Sequence, residues 1–167
     1  MDLLLALPRP KCVKRLLPQI AALGPARVFL TAAEKVEKDY WGCALLKPGE
    51  SRALLLDGLA QAGDIVLPEI RLVRRLKPFV QDEIPSLYPE GNRFLAHPGE
   101  ATETDGFRRA AAGAPGVLAV GPEGGWTAFE LDLFAETGFR RVSMGPRTLR
   151  TDTAVVALAA LFAAANR

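Results

Sequence analysis

Residues 118–153 read LAVGPEGGWTAFELDLFAETGFRRVSMGPRTLRTDT, and the rest of the chain is organised around this stretch. Its first predicted strand is Val117–Val120, an apolar run that leads directly into the glycine turn 121–125. A second predicted strand, 139–144, leads into another turn at 145–150. Glycines allow the backbone to approach a ligand closely and leave N–H groups free to bind it. Two such turns predict either a ligand site or ordinary connections between strands and helices.

A helix is predicted between these two strands. Thr127 and Glu130 are three residues apart, which is the spacing of a capping box at a helix start. The helix then covers 128–137, and Gly138 ends it. The order strand, helix, strand predicts parallel strands, whose carboxyl ends meet at one edge of a sheet. Ligands bind at that edge in open α/β sheets, so we expect both turns to lie beside one ligand.

The rest of the chain repeats the alternation of strands and helices. Hydrophobic periodicity predicts, in order, a strand at 3–7, a helix at 11–23, strand Arg27–Thr31, a helix at 49–62, strand Glu69–Val73, a helix at 74–82, a strand at 92–96, a short helix around 104–112 and a helix at 154–165. Pro18 lies inside the first helix, so we expect a kink or a break there. The pattern predicts one α/β domain over residues 1–167, with helices on both faces of a parallel sheet.

Composition excludes several classes of protein. The 167 residues are 49% hydrophobic, enough for one core, and no apolar run reaches the ~18 residues that a membrane helix needs. The start MDLLLALPRPK has no basic region before its apolar run, so we expect no signal peptide. Cys12 and Cys43 lack metal-ligand spacing and His97 is the sole histidine, which predicts no metal site and a reduced, cytoplasmic protein.

The net charge of +2 neither requires nor excludes RNA as a partner. Basic residues nevertheless occur in local clusters: Arg71, Arg74, Arg75 and Lys77; Arg108 and Arg109; Arg140 and Arg141. Each cluster is either a solvated face or a surface that binds phosphate.

Two motifs carry a resemblance to a known family. They are GPEGGW at 121–126, followed by Glu130, and VSMGPRTLRTDTA at 142–154. Together they resemble the signature GPEGG…E…LG.RILRTETA of the 16S rRNA uridine-N3 methyltransferases, which belong to the SPOUT class of S-adenosylmethionine enzymes. Weaker similarity extends to the N-terminus. The resemblance implies a parallel-sheet SPOUT methyltransferase domain with a C-terminal trefoil knot, and a cofactor-binding knot region at about 92–167.

The same resemblance implies a cofactor and a partner. The cofactor is S-adenosyl-L-methionine, and the partner is RNA, specifically the rRNA of the small ribosomal subunit, methylated on N3 of a uridine. The family begins with a PUA-like barrel, whereas the methyltransferase pattern here begins at residue 3, so we expect this domain to stand alone. Asp64 also replaces an arginine of the family pattern. Another RNA such as tRNA, or a module that binds cofactor or RNA without catalysis, are the alternatives.

The last predicted helix, 154–165, is apolar nearly all round, which indicates burial on more than one side. In a small domain a partner subunit best covers part of such a surface. The resemblance likewise implies a homodimer with a symmetric interface. We therefore expect two copies of the chain in solution.

We predict that the cofactor is held by three turns rich in glycine and proline, at 95–99, 121–125 and 144–149. Backbone amides and carbonyls in such turns suit an adenine ring. Met144 and Leu149 suit the apolar walls of a pocket, although both are equally compatible with the core. The predicted cofactor-binding residues are Leu95, Ala96, His97, Pro98, Gly99, Gly121, Pro122, Glu123, Gly124, Gly125, Met144, Gly145, Pro146, Arg147 and Leu149.

Glu123, Arg147 and Arg150 are the predicted catalytic residues. A carboxylate in a glycine turn is hard to explain by packing, but it is alternatively a cap for the helix that follows. Arginine binds phosphate bidentately and can stabilise a uracil that has lost its N3 proton. The structural alternative is a salt bridge of Arg150 with Asp152 or Glu123. His97 suits a positioning role or proton transfer, and no residue qualifies convincingly as a general base.

Overall fold

The computed structural model describes residues 1–89, 92–98 and 115–165. Its first half alternates three strands and two long helices: β1 (Asp2–Ala6), α1 (Pro10–Leu23), β2 (Arg27–Thr31), α2 (Pro48–Ala62) and β3 (Glu69–Val73). Two short 3₁₀ turns, Lys38–Gly42 and Ala44–Leu46, lie between β2 and α2. The predicted bounds of β2 and β3 are confirmed to the residue.

The second half begins with a helical segment, α3, at residues 76–87, whose middle part Phe79–Glu83 is π-helical. The remaining elements are β4 (Arg93–Ala96), β5 (Val117–Val120), α4 (Ala128–Glu136), β6 (Arg140–Val142) and α5 (Thr151–Ala165). The short helix expected around 104–112 lies outside the described residues. Both halves of the predicted capping box are present at the start of α4, because the Thr127 hydroxyl and the Glu130 carboxylate each accept the other's backbone N–H.

In the described part of the chain the six strands form one parallel sheet in the order β3-β2-β1-β5-β4-β6. β5 lies between β1 and β4, with Leu3 opposite Leu118 and Leu95 opposite Ala119. All the pairings are parallel, so the carboxyl ends of the strands share one edge. The α/β class and the common edge are confirmed.

Helices cover both faces of the sheet, as the buried strands require. All five residues of β1 are buried, and the four that follow Asp2 alternate between two apolar clusters. Leu3 and Leu5 pack with α1, α2 and α5, whereas Leu4 and Ala6 pack with α3 and α4.

Two expectations for the helices differ from the structure. α1 runs without interruption from Pro10 to Leu23, with Pro18 inside it. Its backbone there lies against α2 so closely that a Cβ built on Gly58 would stand 2.0 Å from the Pro18 carbonyl oxygen. This tight packing offsets the hydrogen bond that proline cannot make. The apolar run 54–56 in the predicted helix 49–62 also predicts that Leu56 is buried, but Leu56 is 41% exposed because it lies on the outer side of α2.

The end of the sheet at which the strands begin is closed by a buried charged group, Asp2. Its carboxylate accepts hydrogen bonds from the Arg27 backbone N–H at 2.9 Å, from Arg27 Nε at 2.9 Å and from the Tyr88 hydroxyl at 2.5 Å. Burial and the hydrogen bond to Asp2 raise the pKa of Tyr88 above its ordinary value. This amino edge is therefore a satisfied polar cluster inside the protein.

Candidate ligand site

A cavity of about 810 Å³ lies at the carboxyl edge of the sheet, beside the ends of β4, β5 and β6. The turns that follow these three strands all contribute to its walls. The lining residues are Arg9, Lys11, Cys12, Arg15, Ala96, His97, Pro98, Val120, Gly121, Pro122, Glu123, Gly124, Gly125, Trp126, Val142, Ser143, Met144, Arg147, Thr148, Leu149, Arg150, Thr151, Asp152, Ala154 and Leu158. Volumes of about 300–1,000 Å³ are typical of small-molecule sites.

The structure brings most of the residues predicted for the cofactor to this cavity. Those that line it are Ala96, His97, Pro98, Gly121, Pro122, Glu123, Gly124, Gly125, Met144, Arg147 and Leu149. Leu95 does not, because strand alternation directs its side chain into the core cluster below α3 and α4. Gly145 and Pro146 also lie outside the lining, and Gly145 turns the chain with a φ of +96°. Gly99 is outside the described residues.

The lining residues that sequence reasoning missed include four from the first part of the chain, Arg9, Lys11, Cys12 and Arg15. They belong to the turn after β1 and the first turns of α1. The signal was present in the sequence, because the first strand ends in the proline-flanked stretch 8–10 and its carboxyl end shares the edge with the other parallel strands. The argument applied to the last three strands holds equally for the first.

Glu123 projects from the glycine turn without capping the helix that follows. Its Oε1 accepts the Arg9 backbone N–H at 3.2 Å, which ties the turn after β5 to the turn after β1. The helix cap is made by Thr127 and Glu130. Glu123 is therefore not the cap of this helix. It is exposed and forms part of the cavity wall.

The arginines of the last turn differ in their contacts. Arg147 is exposed and has no ion pair with any described residue. Arg150 Nε lies 3.6 Å from Asp152 Oδ1, but its side chain is 78% exposed, and a contact between exposed groups contributes little to stability. The shorter pair is between Arg15 Nη2 and Asp152 Oδ2, at 2.7 Å, and it joins α1 to the first turn of α5. α5 begins at Thr151, three residues earlier than expected, so Asp152 lies in that first turn.

The glycine turn 121–125 is held by groups on both sides. Lys35 Nζ donates to the Gly124 carbonyl at 2.8 Å, and the Thr151 hydroxyl donates to the Gly121 carbonyl at 3.3 Å. A Cβ on Gly121 would meet the buried ring of Trp126 at 3.1–3.2 Å. The turn therefore requires glycine at this position, and its backbone is fixed beside the cavity.

Two titratable groups of the lining stay neutral near pH 7. Burial and the charge of Arg141 lower the pKa of His97 below its ordinary value of 6.5. Burial, with the carboxylates of Asp152 and Glu123, raises the pKa of the Cys12 thiol above 9.0. His97 is held by its backbone, whose N–H donates to the Val142 carbonyl at 3.1 Å.

Within residues 1–89, 92–98 and 115–165, no group of three or more His, Cys, Asp or Glu side chains is placed to hold a metal ion. No helix in the same ranges has the length and apolar character needed to cross a membrane.

A parallel sheet with a cavity walled by three turns at its carboxyl edge defines an α/β protein built to bind a small ligand at that edge. The particular family follows from comparison with known proteins. The chain belongs to the RNA methyltransferase domain family, whose model matches residues 1–163. It is also 34% identical over 161 residues to the ribosomal RNA small subunit methyltransferase E of Treponema pallidum, covering 96% of this chain and 60% of that protein.

Two solved structures share the fold. A Legionella pneumophila protein described as a methyltransferase, with bound cofactor SAM, has a TM-score of 0.81 at 27% identity, over 98% of this chain and 66% of its own. The ribosomal RNA small subunit methyltransferase E of Neisseria gonorrhoeae, bound to S-adenosyl methionine, has a TM-score of 0.80 at 24% identity, over 95% and 63%. The chain thus spans a little under two thirds of these relatives. The SPOUT-type sheet is confirmed; the knot stays a prediction, since the path from β4 to β5 includes residues 99–114.

Proposed function

We propose that this chain is an S-adenosylmethionine-dependent RNA methyltransferase of the cytoplasm that methylates N3 of a uridine in 16S rRNA. The cavity formed by three turns at the carboxyl edge carries the proposal. Membership of the RNA methyltransferase domain family and the likeness to a SAM-bound structure support it. The name of the Treponema pallidum relative supports the choice of small-subunit rRNA.

The donor set of the cavity fits S-adenosylmethionine, which supplies a methyl group on a positively charged sulfur. Met144, Leu149 and Leu158 give apolar walls for a flat base, and the backbone of the glycine turn 121–125 offers amide and carbonyl groups. The carboxylate of Glu123, which forms no ion pair with a described residue, suits a cationic ligand. The groups present therefore match the cofactor's apolar, hydrogen-bonding and charged parts.

The remaining chemistry concerns the nucleobase. Arg147 and Arg150 are exposed on the cavity wall, so each keeps its donors available to an RNA phosphate or to the negative charge of a uracil that has lost its N3 proton. The walls also exclude water and orient the reacting groups, which lowers the entropic part of the barrier. Glu123 is the carboxylate in the glycine turn, available to contact either the donor or the substrate.

Calorimetry with S-adenosylhomocysteine tests the cofactor site. A Cβ on Gly124 would lie 3.0 Å from the Lys35 side chain, so Gly124→Val displaces the hydrogen bond that fixes the turn. We expect at least about a 10-fold loss of affinity at unchanged melting temperature. Gly49→Val is the matched control, because it adds the same side chain where no atom lies within 4 Å. Equal affinity in wild type and Gly124→Val would remove the turn from the site.

Mass spectrometry of RNA nucleosides from a deletion strain tests the substrate. Loss of N3-methyluridine from 16S rRNA, restored by the gene, is the expected result. Loss of a methylated tRNA nucleoside instead would identify another RNA as the substrate, and no change in either would leave a non-catalytic binding module. Asp64, which differs from the family pattern, is not in the cavity lining; its carboxylate accepts the Ile65 and Val66 backbone N–H groups.

A homodimer is the proposed assembly. α5 packs into the core through Val155, Leu158, Ala159 and Phe162, while Thr153, Ala160 and Ala164 are exposed. A shallow groove of about 330 Å³ between α1 and α5 lies on this side. Small exposed residues on an apolar helix suit close contact with a symmetric copy. Sedimentation at micromolar concentration should give twice the mass of 18.0 kDa, and a monomer would contradict the proposal.

A further inference from the structure

A second surface beside the cavity combines aromatic and cationic side chains from three parts of the chain. It consists of Trp41, Arg74, Arg75, Lys77 and Phe129, and we name it the aromatic–cationic surface. We propose that it binds a single-stranded segment of RNA adjacent to the target nucleotide, with an unpaired base stacked on Phe129. The inference rests on the proposed function, because it places the substrate of the same enzyme.

Phe129 is exposed, unlike the other phenylalanines that the structure describes. Its side chain is 60% exposed at the start of α4, whereas every other phenylalanine in the described residues is buried. Phe134, on the same helix, is fully buried and packs edge-on against Trp126. One exposed aromatic ring is common on protein surfaces, so its neighbours decide what it can bind.

The neighbours of Phe129 and Trp41 are cations. Lys77 Nζ lies 5.6 Å from the centre of the Phe129 ring, and Arg74 Cζ lies 4.8 Å from the centre of the Trp41 ring. The segment after β3 thus places one cation on each of two aromatic rings. Stacking rings beside cations are what single-stranded nucleic acids bind, through their bases and phosphates respectively.

These cations are not neutralised by an acidic residue in the described part of the chain. Arg74, Arg75 and Lys77 are exposed and form no ion pair with any residue that the structure describes. Arg71, in the same cluster, is different, because its Nη2 lies 2.6 Å from Glu83 Oε2. The three cations therefore retain their charge for an anionic partner.

The positive area is small. Three exposed acidic residues on the neighbouring loop, Glu34, Glu37 and Asp39, outnumber its two exposed lysines, Lys35 and Lys38, so the cations do not extend into a broad basic face. A duplex presents two charged backbones and hides the faces of its bases. A narrow group of cations beside the exposed Phe129 ring and the half-buried Trp41 ring suits one strand with unpaired bases better than a duplex.

Three hydrogen bonds fix this surface relative to the cavity. Glu130, next to Phe129, accepts the Glu34 backbone N–H at 2.8 Å with one oxygen and the Thr127 N–H at 2.8 Å with the other. Lys35, on the same loop, donates to Gly124 in the cavity wall. A strand bound on Phe129 therefore lies against α4, the helix that directly follows the glycine turn of the cavity wall.

Fluorescence anisotropy with a labelled, unstructured RNA of about 12 nucleotides tests the stacking contact, within the span of single-strand sites. We expect Phe129→Ala to weaken binding about 10-fold and Phe129→Tyr to restore it, because a ring of either kind can stack. A duplex of the same sequence should bind more weakly and respond less to Phe129→Ala. Ile65→Ala is the matched control, since Ile65 is 94% exposed outside this surface.

The cations are tested through the salt dependence of the same binding. Lys77→Ala and Arg75→Ala should each reduce the slope of log affinity against log salt by about 1. S-adenosylhomocysteine affinity, measured on every variant, should remain that of the wild type. RNA binding unchanged in Phe129→Ala, or absent in the wild type while the cofactor analogue binds, would overturn this inference alone. If the wild type did not bind S-adenosylhomocysteine, the proposed function would be overturned as well.

Discussion

The amino edge of the sheet buries its charges and pairs them, whereas the carboxyl edge leaves arginines exposed around a cavity. Asp2 is 4% exposed and is bound by Arg27 and Tyr88. At the other edge, Arg147 has no ion pair with a described residue and Arg150 has one long contact with Asp152. Arginine therefore has different roles at the two edges. At the amino edge its hydrogen-bond donors are occupied by the protein, and at the carboxyl edge they are available to a ligand.

This difference separates stability from chemistry. An arginine that is locked to a buried carboxylate contributes to folding, because its removal leaves that carboxylate without a partner. An exposed arginine contributes little to folding and keeps its donors for a substrate. Substitution of an arginine at the amino edge should thus lower stability. Substitution of an arginine at the carboxyl edge should lower turnover and leave stability unchanged.

The largest expected effect is on stability, at the amino edge. Arg27→Met should lower the free energy of unfolding by about 3 kcal/mol, because Asp2 loses its charged partner in a buried setting. Affinity for S-adenosylhomocysteine should be unchanged in the folded protein. Urea denaturation and calorimetry measure the two quantities, with Arg52→Met as a control on the exposed side of α2. If Arg27→Met had normal stability but did not bind S-adenosylhomocysteine, the amino edge would serve binding and not stability.

The second effect is on turnover, at the carboxyl edge. Arg150→Ala should lower methyl transfer at least about 100-fold, equal to roughly 2.7 kcal/mol of transition-state stabilisation, because the charge that the reaction develops loses a donor. Donor affinity should shift only a few-fold, and the melting temperature should not change. Single-turnover rates, calorimetry and thermal denaturation on one preparation decide the matter. If stability and cofactor affinity fall together, the contact with Asp152 is structural and Arg150 is part of the scaffold.

The smallest effect concerns pH and the buried thiol of Cys12 at the carboxyl edge, where burial outweighs the opposing effect of Arg15. Burial raises the pKa of Cys12, so the folded state keeps its proton when the unfolded state has lost it. The stability from this group is complete below about pH 9 and decreases as pH rises through the folded pKa. Cys12→Ala should therefore lose less stability than the wild type between pH 8 and pH 10 in urea titrations. Identical pH slopes would contradict the raised pKa.

Local patterns predicted the elements well where one short signal decides them. β2, β3 and β5 have the bounds that their apolar runs predict, and the Thr127–Glu130 pair predicts the start of α4. Such signals depend on neighbours within about four residues. They carry no information on which strand lies beside which, so the place of β5 between β1 and β4 came only with the structure.

The candidate site shows the same division. The glycine turns were predicted from the chain, but the pairs Arg9–Glu123 and Arg15–Asp152 join residues more than one hundred positions apart. Nothing in a single sequence states that such residues meet. Pro18 is a similar case, because the contact with Gly58 that accommodates it belongs to another helix.

The insertion of β5 between β1 and β4 also sets an order for folding as the chain leaves the ribosome. β1, β2 and β3 pair among themselves and are complete by residue 73. β4 pairs only with β5 and β6 in the described sheet, so it has no neighbour until residues 117–142 have been synthesised. We expect that closing the loop that brings Leu118 beside Leu3 costs the most chain entropy, because these residues are the most distant in sequence. Until that loop closes, the edge of β1 that β5 covers in the native sheet has no strand beside it.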